Sequence, residues 1–234
     1  MISVSNLVKR FGLKNVLTGV NFTVTPGEFV VLLGPNGAGK TTFLRILASL
    51  SRPTLGSVLI AGYKLPAQAA EVRMRLGVVS HNPLLYGDLT AEENLQFFGR
   101  LYNIESETER IQEVLGLVGL SHRRKEMVRT FSRGMQQRLA IGRAVLHNPD
   151  VVLFDEPYTG LDQDASEMLD TVLKEVAAAG RTVVMTSHDL ARAEDLGTRF
   201  DVLNRGKIEN STTKANLGNL NLLAYYKSVL AGER

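Results

Sequence analysis

A glycine-rich segment has the strongest chemical signature in the sequence. It fits the pattern G-x-x-x-x-G-K-[ST] at every fixed position, directly after the apolar run Phe29–Leu33 and before a helical run. Backbone N–H groups of such a loop, together with the N-terminus of the following helix, bind phosphate oxygens. We expect Lys40 to reach the β- and γ-phosphates of a nucleotide and the Thr41 hydroxyl to ligate Mg²⁺. The predicted nucleotide-binding residues here are Gly34, Pro35, Asn36, Gly37, Ala38, Gly39, Lys40, Thr41 and Thr42.

Two carboxylates follow a second strand-like run. Asp155 and Glu156 come directly after the apolar residues 151–154. The carboxyl ends of parallel strands meet at one edge of an open sheet, where the glycine-rich loop is also expected. We therefore predict that Asp155 holds Mg²⁺, directly or through water, and that Glu156 accepts a proton from an attacking water.

A histidine follows a third run of this kind. Ser187-His188-Asp189 comes after the apolar residues 183–186, so its side chains are expected at the same edge of the sheet. His188 can donate a hydrogen bond to the γ-phosphate and orient the water. The predicted catalytic set is therefore Glu156, His188 and Lys40.

The elements that must position these residues alternate between strand-like and helical patterns. This alternation indicates an α/β fold with a mostly parallel sheet. Residues 20–24 alternate with period two before a Pro-Gly turn, which is typical of an antiparallel edge strand. Between about residues 83 and 148 strand patterns are missing, and segments 91–102, Glu107–Leu117 and 134–147 have helical spacing. We expect a helical lobe there, inserted into the α/β core.

Residues 209–234 differ from the rest of the chain. The polar stretch 210–216 predicts a loop. After it we expect a C-terminal helical tail whose apolar face packs on its own domain. The residues at helical spacing in that face are Leu217, Leu220, Leu223, Tyr226 and Leu230.

The composition excludes several classes of protein. The 234 residues are 44% hydrophobic and 22% charged, close to the globular average. The absence of cysteine excludes disulfides, zinc–thiolate sites and cysteine nucleophiles. No apolar run approaches the ~20 residues that span a bilayer, and no secretory signal begins the sequence. A net charge of +3 is too small to indicate nucleic-acid binding.

Residues 131–138, Phe-Ser-Arg-Gly-Met-Gln-Gln-Arg, resemble the signature L-S-G-G-Q of ATP-binding-cassette (ABC) ATPases. Ser132, Gly134 and Gln136 match that pattern, and the departures from it are Phe131, Arg133 and Met135. The order of glycine-rich loop, helical lobe, signature, Asp-Glu strand, Thr-Gly-Leu-Asp ending at Asp162, and His188 is also that of the family. The resemblance covers roughly residues 1–208.

This resemblance implies a P-loop NTPase fold of the ABC type, with an antiparallel β subdomain and an ATP-binding domain over residues 1–208. It implies ATP and Mg²⁺ as ligands and a homodimer that sandwiches two ATP molecules head to tail. Phe11 occupies the position of the aromatic that stacks on adenine, and Asp162 would communicate across the dimer interface. The signature residues that would contact the partner's ATP are Ser132, Arg133, Gly134, Met135 and Gln136.

His81 is an informative departure from the family. The family normally has a glutamine there, which ligates Mg²⁺ and links the site to the membrane partner. A neutral imidazole can also bind a metal, but it becomes cationic near pH ~6.5. We therefore expect His81 to act as a metal ligand and activity to fall as it protonates.

His81 and the signature segment look most like the ATP-binding subunit of the haem exporter in cytochrome c maturation, the CcmA family. This likeness implies a polytopic membrane permease and cytochrome c maturation subunits as partners, at the cytoplasmic face of the inner membrane. No haem-ligand motif is present, and we expect His122 and His147 on the surface. The alternatives are another ABC exporter for a drug, lipid or polysaccharide, a soluble ABC ATPase acting on nucleic acid or ribosomes, and a small-molecule kinase.

Overall fold

The computed structural model describes residues 1–80, 82–218 and 220–232, and two β-sheets organise them. The strands are β1 (Ile2–Phe11), β2 (Lys14–Val24), β3 (Phe29–Leu33), β4 (Leu55–Ile60), β5 (Tyr63–Leu65), β6 (Leu76–Val79), β7 (Val151–Asp155), β8 (Thr182–Thr186), β9 (Arg199–Asn204) and β10 (Lys207–Thr213). The helices are α1 (Lys40–Leu47), α2 (Ala69–Met74), α3 (Ala91–Leu101), α4 (Glu107–Leu117), α5 (Arg133–Val145), α6 (Gln163–Ala178), α7 (Leu190–Leu196), α8 (Lys214–Leu217) and α9 (Leu222–Ala231).

The larger sheet brings the predicted site residues to one edge. Its strand order is β10-β9-β3-β8-β7-β6, with β10 antiparallel to β9 and the other neighbours parallel. Thr186 at the end of β8 lies beside Leu32 of β3 on one side and beside Asp155 of β7 on the other. The predicted α/β fold with a mostly parallel sheet is confirmed.

The smaller sheet is antiparallel, with the order β2-β1-β4-β5. The prediction of an antiparallel edge strand over residues 20–24 is confirmed, because they end the edge strand β2. Strand β1 was not predicted. Its alternation breaks where the pairing shifts between Val4 and Leu7, and Asn6 there adopts a positive φ of 50°.

Strand β3 separates two hydrophobic cores, which explains why its sequence is apolar without alternation. Phe29, Val31 and Leu33 pack with the residues of α3–α7, whereas Val30 and Leu32 pack with α1 and the antiparallel sheet. All five are buried. A strand that is buried on both faces reads as a continuous apolar run.

The segment between β6 and β7 contains α3, α4 and α5 and, in the described residues from 82 to 148, no strand. Helix α3 begins with a capping box, in which the Thr90 hydroxyl accepts from the Glu93 N–H and the Glu93 carboxylate accepts from the Thr90 N–H. Ser132 caps α5 by accepting from the Met135 N–H at 3.3 Å. The three predicted helices of the proposed lobe are thus confirmed as helices.

The C-terminal prediction was partly wrong. The predicted loop over 210–216 is not found: residues 210–213 continue β10, which pairs with β9 through Thr213, and residues 214–216 belong to α8. The polar composition misled because β10 is a sheet edge with mostly exposed side chains. The tail does pack on the core. Of the predicted residues, Leu217 is buried in the core and Tyr226 packs against it, together with Leu222, Tyr225 and Val229 of α9, whereas Leu220, Leu223 and Leu230 are exposed.

Candidate nucleotide-binding site

The glycine-rich loop connects β3 to α1 in the way the sequence predicts. A side chain at Gly34 would place its Cβ 2.1 Å from the carbonyl oxygen of Leu203, so only glycine fits there. Lys40 is the first residue of α1, and its ammonium donates to the carbonyl oxygens of Gly34 at 2.7 Å and Pro35 at 3.4 Å. The buried ammonium therefore lies over the start of the loop.

Burial and neighbouring charges act in opposite directions on Lys40. Burial lowers the pKa of the Lys40 ammonium below its ordinary value, while Glu156 and Asp155 partly restore it. Because the protein solvates this buried cation only in part, a nearby anion such as a phosphate would stabilise its charged form.

Asp155 lies in a hydroxyl-rich corner at the end of β7. Its Oδ1 accepts hydrogen bonds from the Thr41 hydroxyl at 3.2 Å and from the Thr186 hydroxyl at 2.9 Å. The structure thus brings together Thr41 and Asp155, the two predicted Mg²⁺ ligands that it describes. Thr186 also accepts from the Glu156 N–H at 2.9 Å. Sequence reasoning missed Thr186 as a site residue, although a threonine ending an apolar strand was the available signal.

The Thr41 hydroxyl and the Asp155 carboxylate in this corner fit Mg²⁺, because this ion prefers oxygen ligands. Among the described residues, no group of three or more His, Cys, Asp or Glu side chains forms a metal site by itself. Protein ligands this few are typical of Mg²⁺ that is also held by substrate phosphates. His81, the third predicted ligand, lies outside the described residues.

Glu156 follows Asp155 in a left-handed conformation, with φ at 51°. Its Oε1 is buried and lies 3.1 Å from His188 Nε2, without a hydrogen bond of good geometry to it. Burial raises the pKa of the Glu156 carboxyl above its ordinary value, and His188 and Lys40 oppose that rise. A buried carboxylate oxygen without a donor is suited to bind a water molecule or take up its proton.

An open cleft of 590 Å³ joins these groups. Among the described residues, those that line this cleft include every predicted nucleotide-binding residue except Gly34, together with Glu156 and His188. Phe11, at the end of β1, is 54% exposed in this cleft, with the Lys9 ammonium 4.7 Å from its ring centre. An exposed ring can stack on a base, whereas a core residue cannot. Lining residues that sequence reasoning missed are Lys14, Asn15, Val16, Arg205 and Gly206.

The signature residues are not among the described residues that line this cleft. Ser132 and Arg133 are exposed at the start of α5, and the Arg133 Nε donates to the Thr159 carbonyl at 2.9 Å. Gly134 is buried against α6, where a Cβ would lie 2.7 Å from that of Ala165. Met135 and Gln136 are half-buried in the first turn of α5.

Asp162 caps α6, since its Oδ1 accepts from the Ala165 N–H at 2.8 Å. It lines a second opening of 320 Å³, to which Glu156 and His188 also contribute. Arg192 also lines this opening; it pairs with Asp170 and Asp189.

A groove of 190 Å³ lies between the larger sheet and the helical segment. Arg143 of α5 lines it and donates to the carbonyl oxygens of Val78 at 2.9 Å and Leu84 at 3.3 Å. Leu50 and Leu84 line the groove with exposed side chains, and Tyr86 and Phe97, which are also exposed, pack on the lining residue Phe98.

The two histidines expected on the surface differ. His122 is exposed as predicted. His147 is not a simple surface residue, because its ring nitrogens are buried in the groove wall and its ring stacks on Tyr102 at 3.8 Å. Burial lowers the pKa of His147 to about 4, so the imidazole is neutral at physiological pH.

The fold and the site define a nucleotide-binding domain of the P-loop class. The family model described as ABC transporter matches residues 17–159. The chain belongs to this family, as an ATP-binding subunit. Among the described residues no helix is both long and apolar enough to cross a membrane.

Curated relatives support this membership. The linearmycin resistance ATP-binding protein LnrL of Bacillus subtilis is 36% identical over 220 residues, which are 93% of this chain and 70% of that protein. The ATP-binding protein NatA of the same organism is 36% identical over 215 residues, 89% of this chain and 87% of that protein. The Nod factor export ATP-binding protein I of Ralstonia nicotianae is 38% identical over 209 residues, 88% of this chain but only 65% of that protein.

Solved structures agree with the fold. An ATP-binding subunit of an ABC transporter superposes with a TM-score of 0.88 at 30% identity, covering 98% of this chain and 99% of the other. A dimeric ATP-binding cassette in a post-hydrolysis state, bound to ADP and Pi, superposes with a TM-score of 0.81 at 31% identity, covering 92% and 99%.

Proposed function

We propose that this chain hydrolyses ATP to drive a membrane exporter. The observation that carries the proposal concerns Oε1 of Glu156, which is buried and accepts no hydrogen bond. It lies in the cleft that is also lined by Lys40 and the glycine-rich loop. Glu156 takes the proton of the attacking water, and His188, 3.1 Å from it, orients that water and the γ-phosphate. Lys40 stabilises charge on the phosphoryl group.

Thr41 and Asp155 would hold Mg²⁺, with His81 as a third proposed ligand. When bound, the ion neutralises charge on the phosphates. Phe11 stacks on adenine from the end of β1. The proposed organisation of the chain is an ATP-binding domain over residues 1–208, with its helical lobe over about 83–148, and a tail over 209–234.

Hydrolysis in this proposal requires a second copy of the chain. Ser132 and Arg133 are exposed. Among the described residues that line the 590 Å³ cleft, none belongs to the signature segment. The exposed N-terminus of α5 offers N–H groups and a positive dipole end to a phosphate on another subunit. Two chains thus sandwich two ATP molecules head to tail, with Asp162 at the interface. The dimeric cassette bound to ADP and Pi supports this arrangement.

The variant Glu156→Gln tests the catalytic assignment. We expect it to bind ATP but to hydrolyse it about 10²- to 10³-fold more slowly, because the amide cannot accept the proton. The trapped ATP should shift the chain to a dimer in size-exclusion chromatography coupled to light scattering, while ADP should leave it monomeric.

Glu175→Gln is the matched control, since Glu175 is exposed on α6 outside the cleft. It should hydrolyse ATP at the wild-type rate. Hydrolysis by Glu156→Gln at a rate near that of the wild type would show that Glu156 is not the base.

The partner that we propose is a polytopic membrane permease, contacted at the cytoplasmic face of the membrane through the 190 Å³ groove. Leu50 and Leu84 expose apolar surface in the groove and Tyr86 and Phe97 do so beside it, and exposed apolar surface is typical of protein interfaces. Arg143 links the loop at Leu84 to α5, so a partner in the groove is mechanically connected to the signature helix.

The cargo is the finer part of the proposal, and the relatives change it. Two of them are named for linearmycin resistance and Nod factor export, and the third is the ABC transporter ATP-binding protein NatA. None of these three names refers to haem export or cytochrome c maturation. We therefore favour an exporter of another class of cargo over the haem exporter that His81 and the signature segment suggest. If the neighbouring reading frames encode a permease but no haem-handling subunits, they would agree with this choice. If they encode cytochrome c maturation subunits, the choice would be reversed. The relatives named here carry transport or resistance names, which gives no support to action on nucleic acid.

A further inference from the structure

The turn between β9 and β10 is fastened to the glycine-rich loop. The Gly206 N–H donates to the Ala38 carbonyl at 3.1 Å, and the Thr18 N–H donates to the Gly206 carbonyl at 2.9 Å. A Cβ at Gly206 would lie 2.5 Å from the carbonyl oxygen of Val16, so the turn packs closely on β2. The position of residue 205 is therefore fixed relative to the phosphate-binding backbone.

Arg205 occupies a turn position that suits other residues better. Both Arg205 and Gly206 have positive φ, at 46° and 78°, as in a type I′ hairpin turn. Asparagine, aspartate and glycine adopt this conformation more readily than arginine does. Backbone geometry that a residue tolerates poorly, next to a ligand cleft, points to a role for its side chain.

The guanidinium of Arg205 has no ionic partner in the part of the chain that the structure describes. The ion pairs there do not include Arg205, and among the described residues its guanidinium donates no hydrogen bond, while its carbonyl accepts from the Thr18 hydroxyl at 3.5 Å. The residue is exposed and lines the 590 Å³ cleft together with Phe11 and Lys14. An unpaired cation in that cleft attracts an anionic ligand.

We propose that Arg205 binds the nucleotide, through the phosphate nearest the ribose. This inference rests on the proposed function. The Lys40 ammonium lies at Gly34, where the loop begins, whereas the turn of Arg205 is bonded to Ala38 and packs beside Val16, which lines the cleft together with Phe11. ATP and ADP share the α-phosphate, so Arg205 contributes equally to the binding of both.

The variant Arg205→Gly separates this role from the shape of the turn, since glycine relieves the backbone. Isothermal titration calorimetry should give Kd values for ADP and for a non-hydrolysable ATP analogue that are both raised about fivefold, the effect of one exposed charge pair. The melting temperature without nucleotide should stay the same or rise.

Lys207→Ala is the matched control. It removes one positive charge from the same hairpin, but Lys207 is not among the residues that line the cleft. Its Kd values should stay within about twofold of the wild type. Unchanged Kd values for Arg205→Gly, or a change for the ATP analogue alone, would overturn the inference while leaving ATP hydrolysis intact. A wild-type chain that binds neither nucleotide would remove this inference and the proposed function together.

Discussion

One hydroxyl holds both carboxyl-bearing residues of the site in place. Thr186 donates to Asp155 and accepts from the backbone N–H of Glu156, each at 2.9 Å. The second bond stabilises a left-handed conformation that glutamate adopts only at some energetic cost. Thr186 itself is completely buried, so no water can replace it without rearrangement.

The variant Thr186→Val should expose this dependence, because valine has nearly the same shape but no hydroxyl. Leaving the buried partners unsatisfied should lower the free energy of unfolding by about 1–3 kcal/mol. Urea denaturation measures this change, and the Mg²⁺ dependence of ATP hydrolysis should move to higher concentrations. Thr186→Ser keeps the hydroxyl and should largely restore both values; a Thr186→Val protein as stable as the wild type would contradict the assignment.

At the scale of elements, the helical segment is attached to the larger sheet by a close contact of backbones. A Cβ at Gly77 of β6 would lie 2.3 Å from the carbonyl oxygen of Ala144 in α5. Helix α5 can therefore lie directly on the strand. This contact holds the C-terminal end of α5 on the sheet, and Ser132 lies at the other end of the same helix.

Gly77→Ala should force these backbones apart and destabilise the fold by about 1–3 kcal/mol. Gly116→Ala in α4 is the informative comparison, since its Cβ would meet nothing closer than the Ser121 hydroxyl at 4.0 Å. That change should stabilise the chain by up to about 1 kcal/mol, because alanine favours helix. Chemical denaturation of the two variants measures both effects, and equal stabilities would show that β6 and α5 are not packed in this way.

The elements also show which features a single sequence can predict. The central strands β3, β7 and β8 were found because burial on both faces leaves long apolar runs. Strand β1 was missed because a bulge interrupts its alternation, and β10 because an edge strand needs few apolar residues. In the site, the loop and Asp155-Glu156 follow from spacing, whereas Thr186 and Arg205 depend on pairing between distant strands that spacing does not encode.

At the scale of the whole molecule, two of the surfaces that carry exposed apolar side chains can be compared; others, such as Leu55 and Leu59 on the antiparallel sheet, lie apart from both. One surrounds the groove beside the helical segment, and the other lies on the outer side of α9 and the segment before it. Leu84 and Leu220 represent them, with 62% and 60% exposure. The proposed permease contact predicts that only the first surface is needed for export.

Leu84→Asn tests this prediction without straining the loop, since Leu84 has a φ of 53° that asparagine tolerates. We expect binding to the membrane partner in co-sedimentation to weaken about tenfold, as for one buried interface anchor. ATP hydrolysis by the isolated chain should stay unchanged. Leu220→Asn removes a leucine of similar exposure and should retain wild-type binding; the opposite ranking would place the partner on the C-terminal surface.

The cleft has one further consequence, because its walls come from both sheets. Phe11 ends a strand of the antiparallel sheet, while Lys40 and Arg205 follow strands of the parallel sheet. A bound nucleotide therefore acts as a non-covalent cross-link between the two layers, in addition to their side-chain packing and the hydrogen bond from Thr18 to Gly206. Since a ligand stabilises whatever state binds it, the cohesion of the two layers becomes a function of the cellular nucleotide concentration, and the stability of the chain is coupled to the energy supply that it is proposed to use.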